Sequence, residues 1–311
     1  MKLIEIIITL IITSLLLSSS CKKEVIKADE DQIPVFTDEN IKACSFNIRY
    51  SNDDPDTGDR NWSVRKDWVV DFVNSYDIDI IGLQEEKNDQ TADLRTLLSD
   101  KYSHFGKASS SKPGYEYNGI FYKRDKFELL ESGRFWLSET PDVESIGWDA
   151  KYHRQVSWCK FKQIVSGKSI YFFNTHFSHV TGTAKTIDKC EARINSAKLL
   201  KNKINSISKG TAIIVTGDFN LWPISDTYRI LTETEFSGTK LIDSRTLVAS
   251  PIGPNYSGHC FGECIEEGKI VDYVFINDKL NVLMHEIVDK QPSANSFLSD
   301  HYPVVSELAF K

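Results

Sequence analysis

Two oxygen-bearing side chains follow an apolar run at residues 211–220, Thr-Ala-Ile-Ile-Val-Thr-Gly-Asp-Phe-Asn. The run predicts a buried strand that presents Asp218 and Asn220 at its carboxyl end. Carboxyl ends of strands are where an α/β sheet places its chemistry. A strand followed by an Asx turn would leave the same Gly-Asp-x-Asn pattern, so the rest of the chain has to decide between the two interpretations.

Four more apolar runs end in an acid, an amide or an imidazole, and a fifth begins with an acid. They are Ser-Phe-Asn47, Gly-Leu-Gln-Glu85, Asn-Thr-His176, Ser-Asp300-His301 and Val271-Asp272-Tyr-Val-Phe. Any one of them could be a cap or turn residue, but six in one strand-rich chain indicate a site. Oxygen ligands without cysteine suit Mg²⁺, Mn²⁺ or Ca²⁺, so Glu85 with Asn47 and Asp300 predicts a hydrated divalent ion.

Asp300 and His301 are adjacent in the sequence but cannot form a pair. Neighbouring side chains on an extended strand point to opposite faces. His301 therefore needs a carboxylate from another strand, and Asp272 is the natural candidate.

Composition limits the class of protein. The chain has 311 residues, of which 41% are hydrophobic, so it can bury a large core in one large domain or two ordinary ones. Its net charge is −7, whereas a protein that binds a long nucleic acid usually has a basic face. A local basic cleft stays open as an alternative.

The amino terminus has the pattern of a secretory signal. An apolar run at 3–17 follows Lys2, and three serines precede Cys21. This arrangement resembles a bacterial lipoprotein signal, in which the cysteine is lipidated and becomes the mature terminus. We expect a signal peptide at 1–20, a tether at 21–40 and a folded domain at 41–311. An ordinary secreted protein with an incidental cysteine is the alternative.

Five cysteines follow Cys21, and an odd count leaves at least one thiol free. Cys260 and Cys264 are near enough in the sequence to close a small disulfide loop. Cys44 and Cys159 lie in strand-like runs and are expected in the core.

Apolar spacing predicts a strand–helix–strand–helix opening and a middle that is richer in strands. Helices are expected at 62–75, 89–98, 186–207 and 226–231. Beyond 211–220, strands are expected at 41–47, 79–85, 118–122, 127–137, 156–161, 169–175, 241–243, 270–276, 280–287 and 304–310. About a dozen strands with few helices favour an α/β (α+β) fold of two stacked sheets with helices outside.

Taken together, these motifs resemble the endonuclease/exonuclease/phosphatase superfamily, the deoxyribonuclease I-like metal-dependent phosphoesterases. The resemblance runs from about residue 41 to 311. Four further motifs resemble a subgroup of exported bacterial members: Asn-Ile-Arg-Tyr at 47–50, Asn-Trp-x-x-Arg-Lys at 61–66, Phe-Trp-Leu-Ser at 135–138 and Gly-Trp-Asp-Ala at 147–150. The resemblance implies a four-layer α/β/β/α sandwich and makes 41–311 a catalytic domain.

The resemblance also implies roles for individual residues. Glu85 and Asn47 would hold Mg²⁺ (or Mn²⁺), with Asp300 close enough to share or shape the metal site. Asp218 and Asn220 would orient the attacking water and the phosphate.

The histidines take further implied roles. Asp272 would hold His301 in the tautomer that serves as a general base or donates to a phosphoryl oxygen. His176 would be the second active-site histidine with Glu116 as its partner, and Arg154 would contact the phosphate.

Two more residues are predicted at the substrate pocket. His259 lies in Tyr-Ser-Gly-His-Cys-Phe, which partly matches the subgroup's Thr-Phe-His-Gly-Phe, and a surface loop is the alternative. Trp222, which closely follows Gly-Asp-Phe-Asn, is expected at the rim of the site.

The predicted function is hydrolysis of a phosphodiester or phosphomonoester by activated water, on a small or lipid-derived substrate outside the cytoplasm. We expect a monomer held at the membrane by its lipid anchor. A secreted endo- or exonuclease is the first alternative, and nucleic acid is not the favoured partner. A noncatalytic binding lipoprotein is the second.

Overall fold

The computed structural model describes residues 38–52, 57–179, 190–293 and 295–311. The predicted signal peptide at 1–20, the lipidation site Cys21 and nearly all of the tether at 21–40 lie outside these ranges. Within the described ranges, no helix has the length and apolar character needed to cross a membrane.

Twelve described strands form two sheets of six. The first sheet has the spatial order β11 (Leu280–Ile287), β12 (Val304–Phe310), β1 (Ile41–Asn47), β2 (Ile80–Gln84), β4 (Ile120–Lys123) and β3 (Tyr102–Phe105). The second has the order β5 (Phe127–Trp136), β6 (Gln155–Gln163), β7 (Ser169–His176), β8 (Ala212–Asp218), β10 (Asp272–Ile276) and β9 (Ile242–Asp243). β1 runs parallel to β2, and β7 runs parallel to β8, so the carboxyl ends of each pair share one edge.

Helices cover the outer faces of both sheets. In the described chain they are α1 (Trp62–Ser75), α2 (Asn88–Leu97), α3 (Glu191–Ser208) and α4 (Asp226–Thr232). Phe46 packs with Phe72 of α1, whereas Val215 shares a buried cluster with Leu200 of α3. The layers run helix, sheet, sheet, helix, which confirms the four-layer sandwich.

Side-chain alternation on β1 separates two environments. Cys44 and Phe46 face the helices, in one buried cluster with residues of α1 and α2. Ala43 points to the opposite face, in a buried cluster that includes residues of both sheets, and Asn47 lies on that same inner face, four residues along the strand. The inner face therefore changes from apolar to polar towards its carboxyl end.

The two sheets meet closely at Gly82 on β2. A Cβ there would overlap Thr216 Oγ1 and lie 2.5 Å from Asn174 Oδ1. The Asn174 side chain also crosses between the sheets, because its Nδ2 donates to the carbonyl oxygens of Leu83 at 2.7 Å and Gly119 at 2.9 Å. This polar contact sets the separation of the sheets just below the edge that carries the predicted site.

The cysteines divide as the odd count requires. Cys260 and Cys264 form a disulfide, and Cys44, Cys159 and Cys190 are free and buried. The strand β3 was not predicted, because it has only four residues and is only partly buried.

Replacing Gly82 with alanine should destabilise the fold by about 2–3 kcal/mol, since the added methyl forces the sheets apart. Denaturant unfolding measures this free energy. Gly258→Ala is the matched control: the nearest atom to its new Cβ lies 3.4 Å away, so its cost should stay below about 1 kcal/mol. Equal stability of the two variants would contradict the proposed contact.

Candidate active site

Strand register brings the acids and the imidazole of the second sheet together. His176 at the end of β7 is the parallel partner of Asp218 at the end of β8. Asp272 at the start of β10 is the antiparallel partner of the same residue. Asp218 is therefore flanked on both sides by predicted site residues.

Asn47 joins the first sheet to this group. Its Nδ2 donates to Asp218 Oδ2 at 3.0 Å and to Glu85 Oε1 at 3.0 Å. Glu85 has a left-handed backbone with φ of 67°, an unusual conformation for a residue with a side chain. That conformation ends the strand alternation, and the Glu85 carboxylate also accepts from the backbone N–H of Tyr50 at 3.2 Å.

His301 pairs with Asp272 as the sequence predicted. His301 Nδ1 lies 2.8 Å from Asp272 Oδ2, and His301 Nε2 lies 4.0 Å from Asp218 Oδ2. Burial alone would lower the pKa of His301, but the negative charges of Asp272, Asp218 and Asp300 outweigh it and raise that pKa well above 6.5.

His176 contacts Asp218 from the opposite side. Its Nε2 lies 3.4 Å from Asp218 Oδ2. Burial, followed by the charge of Arg154, lowers the pKa of His176 well below 6.5, so this imidazole is neutral. Burial and the neighbouring Asp272 raise the pKa of Asp218 to about 7.

The donor set fits a divalent cation. Ligand atoms of Glu85, His176 and Asp218 all lie within 4.8 Å of one another, and so do those of Asp218, Asp272 and His301. Two buried polar atoms in these groups, His176 Nδ1 and Asp272 Oδ1, have no hydrogen-bond partner. Carboxylates with an imidazole and an adjacent amide are ligands that Mg²⁺ and Mn²⁺ accept.

Asn220 lies at the same edge with its backbone fixed. Its φ is 51°, its N–H donates to Asp218 Oδ1 at 2.9 Å, and its Nδ2 donates to the carbonyl oxygen of Phe177 at 3.2 Å. Arg193 Nη1 donates to the Asn220 carbonyl oxygen. The amide is thus held beside Asp218, where the sequence predicted it.

Three predicted residues lie near the centre without joining it directly. Asp300 faces Arg49, with 3.8 Å between Oδ2 and Nη1, and is in neither candidate ligand group of the described residues. Glu116, the predicted partner of His176, lies near it without a hydrogen bond, with 3.9 Å between Glu116 Oε2 and His176 Nδ1. The same Glu116 oxygen lies 3.6 Å from Arg154 Nη1.

His259 is not at the substrate surface. It is only 1% exposed, and its ring stacks on Tyr302 with the centroids 4.0 Å apart. Its backbone N–H donates to the Asp300 carbonyl oxygen at 2.8 Å, so it supports the segment that carries His301. Trp222 is half-buried beyond the end of β8, and its predicted contact with substrate stays a prediction.

A cleft of about 560 Å³ opens beside Glu85 and His176. His153 and His179 line it, although neither was predicted to have a role from the sequence. Two features of the sequence could have pointed to these histidines: a tyrosine precedes His153, and a strand ends before His179. Neither feature forms a motif by itself.

Comparisons with known proteins agree with this geometry. A family model described as Endonuclease/Exonuclease/phosphatase family matches residues 44–301. The structure resembles an endonuclease/exonuclease/phosphatase from Bacteroides vulgatus, with a TM-score of 0.78 and 36% identity over 88% of this chain and 99% of that one. It also resembles a mannosyl-6-phosphatase from Bacteroides thetaiotaomicron, with a TM-score of 0.76 and 30% identity over 87% of this chain and 100% of that one. An uncharacterised protein of Acanthamoeba polyphaga mimivirus is 28% identical over 256 residues, which are 78% of this chain and 91% of the viral protein.

Asp272→Asn should lower the pKa of His301, because it removes the nearest negative charge. Histidine-ring NMR titration of the chelator-treated protein measures this pKa. Asp278→Asn, at an exposed position, is the control and should leave the titration unchanged. A His301 pKa that is the same in both variants would contradict the pairing.

Asp272→Asn should also change the free energy of unfolding, by an amount that depends on pH. A histidine whose pKa is raised by folding stabilises the fold below its ordinary pKa, and that contribution is lost as pH rises through the folded value. Asp272→Asn should therefore lower the free energy of unfolding most at acidic pH, where His301 is charged.

Proposed function

The chain belongs to the endonuclease/exonuclease/phosphatase family, and on that premise we propose that it is a divalent-metal-dependent phosphoesterase that hydrolyses its substrate with an activated water. The observation that carries the proposal is the convergence of both sheets on one carboxylate. Asn47 from the first sheet and His176 from the second both contact Asp218 Oδ2, at 3.0 and 3.4 Å. A binding protein without catalysis has no need for this arrangement of acid, amide and two imidazoles.

His301 is the proposed general base. Its Nδ1–H is directed at Asp272, which leaves Nε2 facing Asp218 and open to take a proton from water. A cation held at Asp218 would offset part of the negative charge that raises the pKa of His301, and would so bring that pKa towards the working range of a base. Asp218 and Asn220 orient that water and the phosphate.

Glu85, Asn47 and Asp218 would hold the cation, and His176 lies close to the carboxylates of Glu85 and Asp218. When bound, Mg²⁺ or Mn²⁺ supplies positive charge where phosphoryl oxygens become more negative in the transition state. Neutral His176 can donate a hydrogen bond to a phosphoryl oxygen, and it is held in place at the end of β7.

The proposed substrate is a phosphomonoester or phosphodiester of a small or lipid-derived alcohol. The net charge of −7 supports a small substrate over long nucleic acid. Similarity to a mannosyl-6-phosphatase brings phosphomonoesters into the substrate panel. The apolar run at 3–17 and Cys21 support an exported, lipid-anchored enzyme.

His301→Ala should lower kcat by about 10²–10⁴-fold or more, because the base that accepts the proton is lost. Release of nitrophenol from 4-nitrophenyl phosphate and its diester measures this rate. His285→Gln is the control: His285 lies on β11, buried against Ser244 and Ser306, so the folded variant should keep its rate. A folded His301→Ala protein with the wild-type rate would refute the assignment.

Glu85→Gln should raise the Mg²⁺ or Mn²⁺ concentration for half-maximal activity by about tenfold or more, since a charged ligand becomes neutral. A chelator should abolish turnover in the wild type, and added metal should restore it. Glu128→Gln, at an exposed position of β5, should keep the wild-type metal dependence. Activity that is indifferent to the chelator would contradict the metal requirement.

A further inference from the structure

The cleft beside His176 is lined mainly by side chains that carry polar groups. Among the described residues that line it, Pro113 is the only one with an aliphatic side chain beyond a methyl group. Its walls are charged, imidazole or tyrosine side chains. Apart from Pro113 and Gly114, every described residue that lines the cleft carries a polar group beside its apolar surface, so an alcohol with many hydroxyl groups would find donors and acceptors there.

Arg154 and Glu116 form a charged pair inside this cleft. Arg154 is only 8% exposed, and its buried Nε has no hydrogen-bond partner. The nearest Glu116 oxygen is 3.6 Å from Arg154 Nη1, which is longer than a hydrogen bond. Arg154 Nη2 makes a long contact of 3.5 Å with His179 Nδ1, so the guanidinium keeps hydrogen-bonding capacity at Nε and Nη1 that a ligand oxygen could use.

The pair lies on the side of His176 that faces away from Asp218. His176 Nε2 is 3.4 Å from Asp218 Oδ2, and His176 Nδ1 is 3.9 Å from Glu116 Oε2. The ring therefore separates the hydrolytic centre from Arg154 and Glu116. A phosphate at the centre would direct its alcohol past His176 towards the pair.

Aromatic rings stand at the mouth of the same cleft. Tyr152 is 51% exposed and stacks on His179 with the centroids 6.0 Å apart. The Tyr115 ring meets His153 edge-on, with 5.1 Å between centroids. The face of a tyrosine ring can bury the C–H surface of a cyclic polyol while the tyrosine hydroxyl stays in water.

We infer that the alcohol part of the substrate is a sugar or a similar cyclic polyol, read by Arg154 and Glu116 and covered by Tyr152. Arg154 donates to one hydroxyl oxygen, and Glu116 accepts from a neighbouring hydroxyl. This inference rests on the proposed function, because it names the leaving group of that reaction. It makes Arg154 and Glu116 specificity residues of the leaving group and does not place them at the scissile phosphate.

The test compares three substrates on the full chain supplied with Mg²⁺: hexose 6-phosphates, 4-nitrophenyl phosphate and a short-chain phosphatidic acid. Arg154→Met and Glu116→Gln should each lower kcat/KM for the hexose phosphate about 10–100-fold more than for 4-nitrophenyl phosphate, because each removes a charged hydrogen bond to a hydroxyl. Arg229→Met and Glu128→Gln, both at exposed positions outside the cleft, are the matched controls and should leave the substrate ratio unchanged. Thermal unfolding of each variant reports whether it is folded.

The outcomes separate the inference from the function beneath it. If the wild type hydrolyses neither these three monoesters nor the 4-nitrophenyl diester with metal present, the proposed function fails. Hydrolysis of the diester alone would keep the proposed function and overturn the inference. If it hydrolyses the monoesters, but Arg154→Met and Glu116→Gln lower all three rates equally, Arg154 acts on the phosphate and the inference fails. A wild-type preference for phosphatidic acid over hexose phosphate would also overturn it.

Discussion

The structure depends on one hydrogen bond across the sandwich, from Asn47 Nδ2 to Asp218 Oδ2 at 3.0 Å. Asn47 ends a strand of one sheet, and Asp218 ends a strand of the other. Both are fully or almost fully buried, so neither can exchange its partner for water without cost. The two sheets must therefore keep their separation and their stagger for the site to exist.

That constraint is met by the interior just below. The absence of a side chain at Gly82 allows β2 to approach the second sheet, and Asn174 spans the gap. Glu85 comes directly after this strand with a left-handed backbone, which directs its carboxylate to Asn47. Gly82, which permits the close packing, and Glu85, which has the strained backbone and a predicted metal-binding role, are thus only three residues apart. Strained backbone is common at functional sites.

Much of the site could be predicted because its residues lie at strand ends. Asp218 ends an apolar run that is visible in the sequence, and the need of His301 for a distant carboxylate identified Asp272. Asp300 and His301, however, lie before β12 and do not end a strand as predicted. Contacts made by loops could not be derived in this way. Sequence spacing does not show that His259 packs on Tyr302, because that contact depends on how a disulfide-closed loop folds back.

The residues that line the cleft were still harder to predict from the sequence. It is formed by segments before β4 and β6 and after β1, β2 and β7, and no one of these segments carries a motif for substrate. The edge with the candidate metal ligands is built by strand geometry, whereas the cleft proposed to bind the alcohol is built mostly from connecting segments. Fold and chemistry are thus easier to predict than the substrate.

The central claim, that side chains from both sheets form one metal centre, is tested most directly by titrating Mn²⁺ into the protein while observing the histidine-ring NMR signals. Paramagnetic broadening falls steeply with distance from the ion. We predict that the signals of His176 and His301 broaden first and together, well before that of His285 on β11. Broadening that begins at His285, or that spreads evenly over all histidines, would contradict a single centre at Asp218.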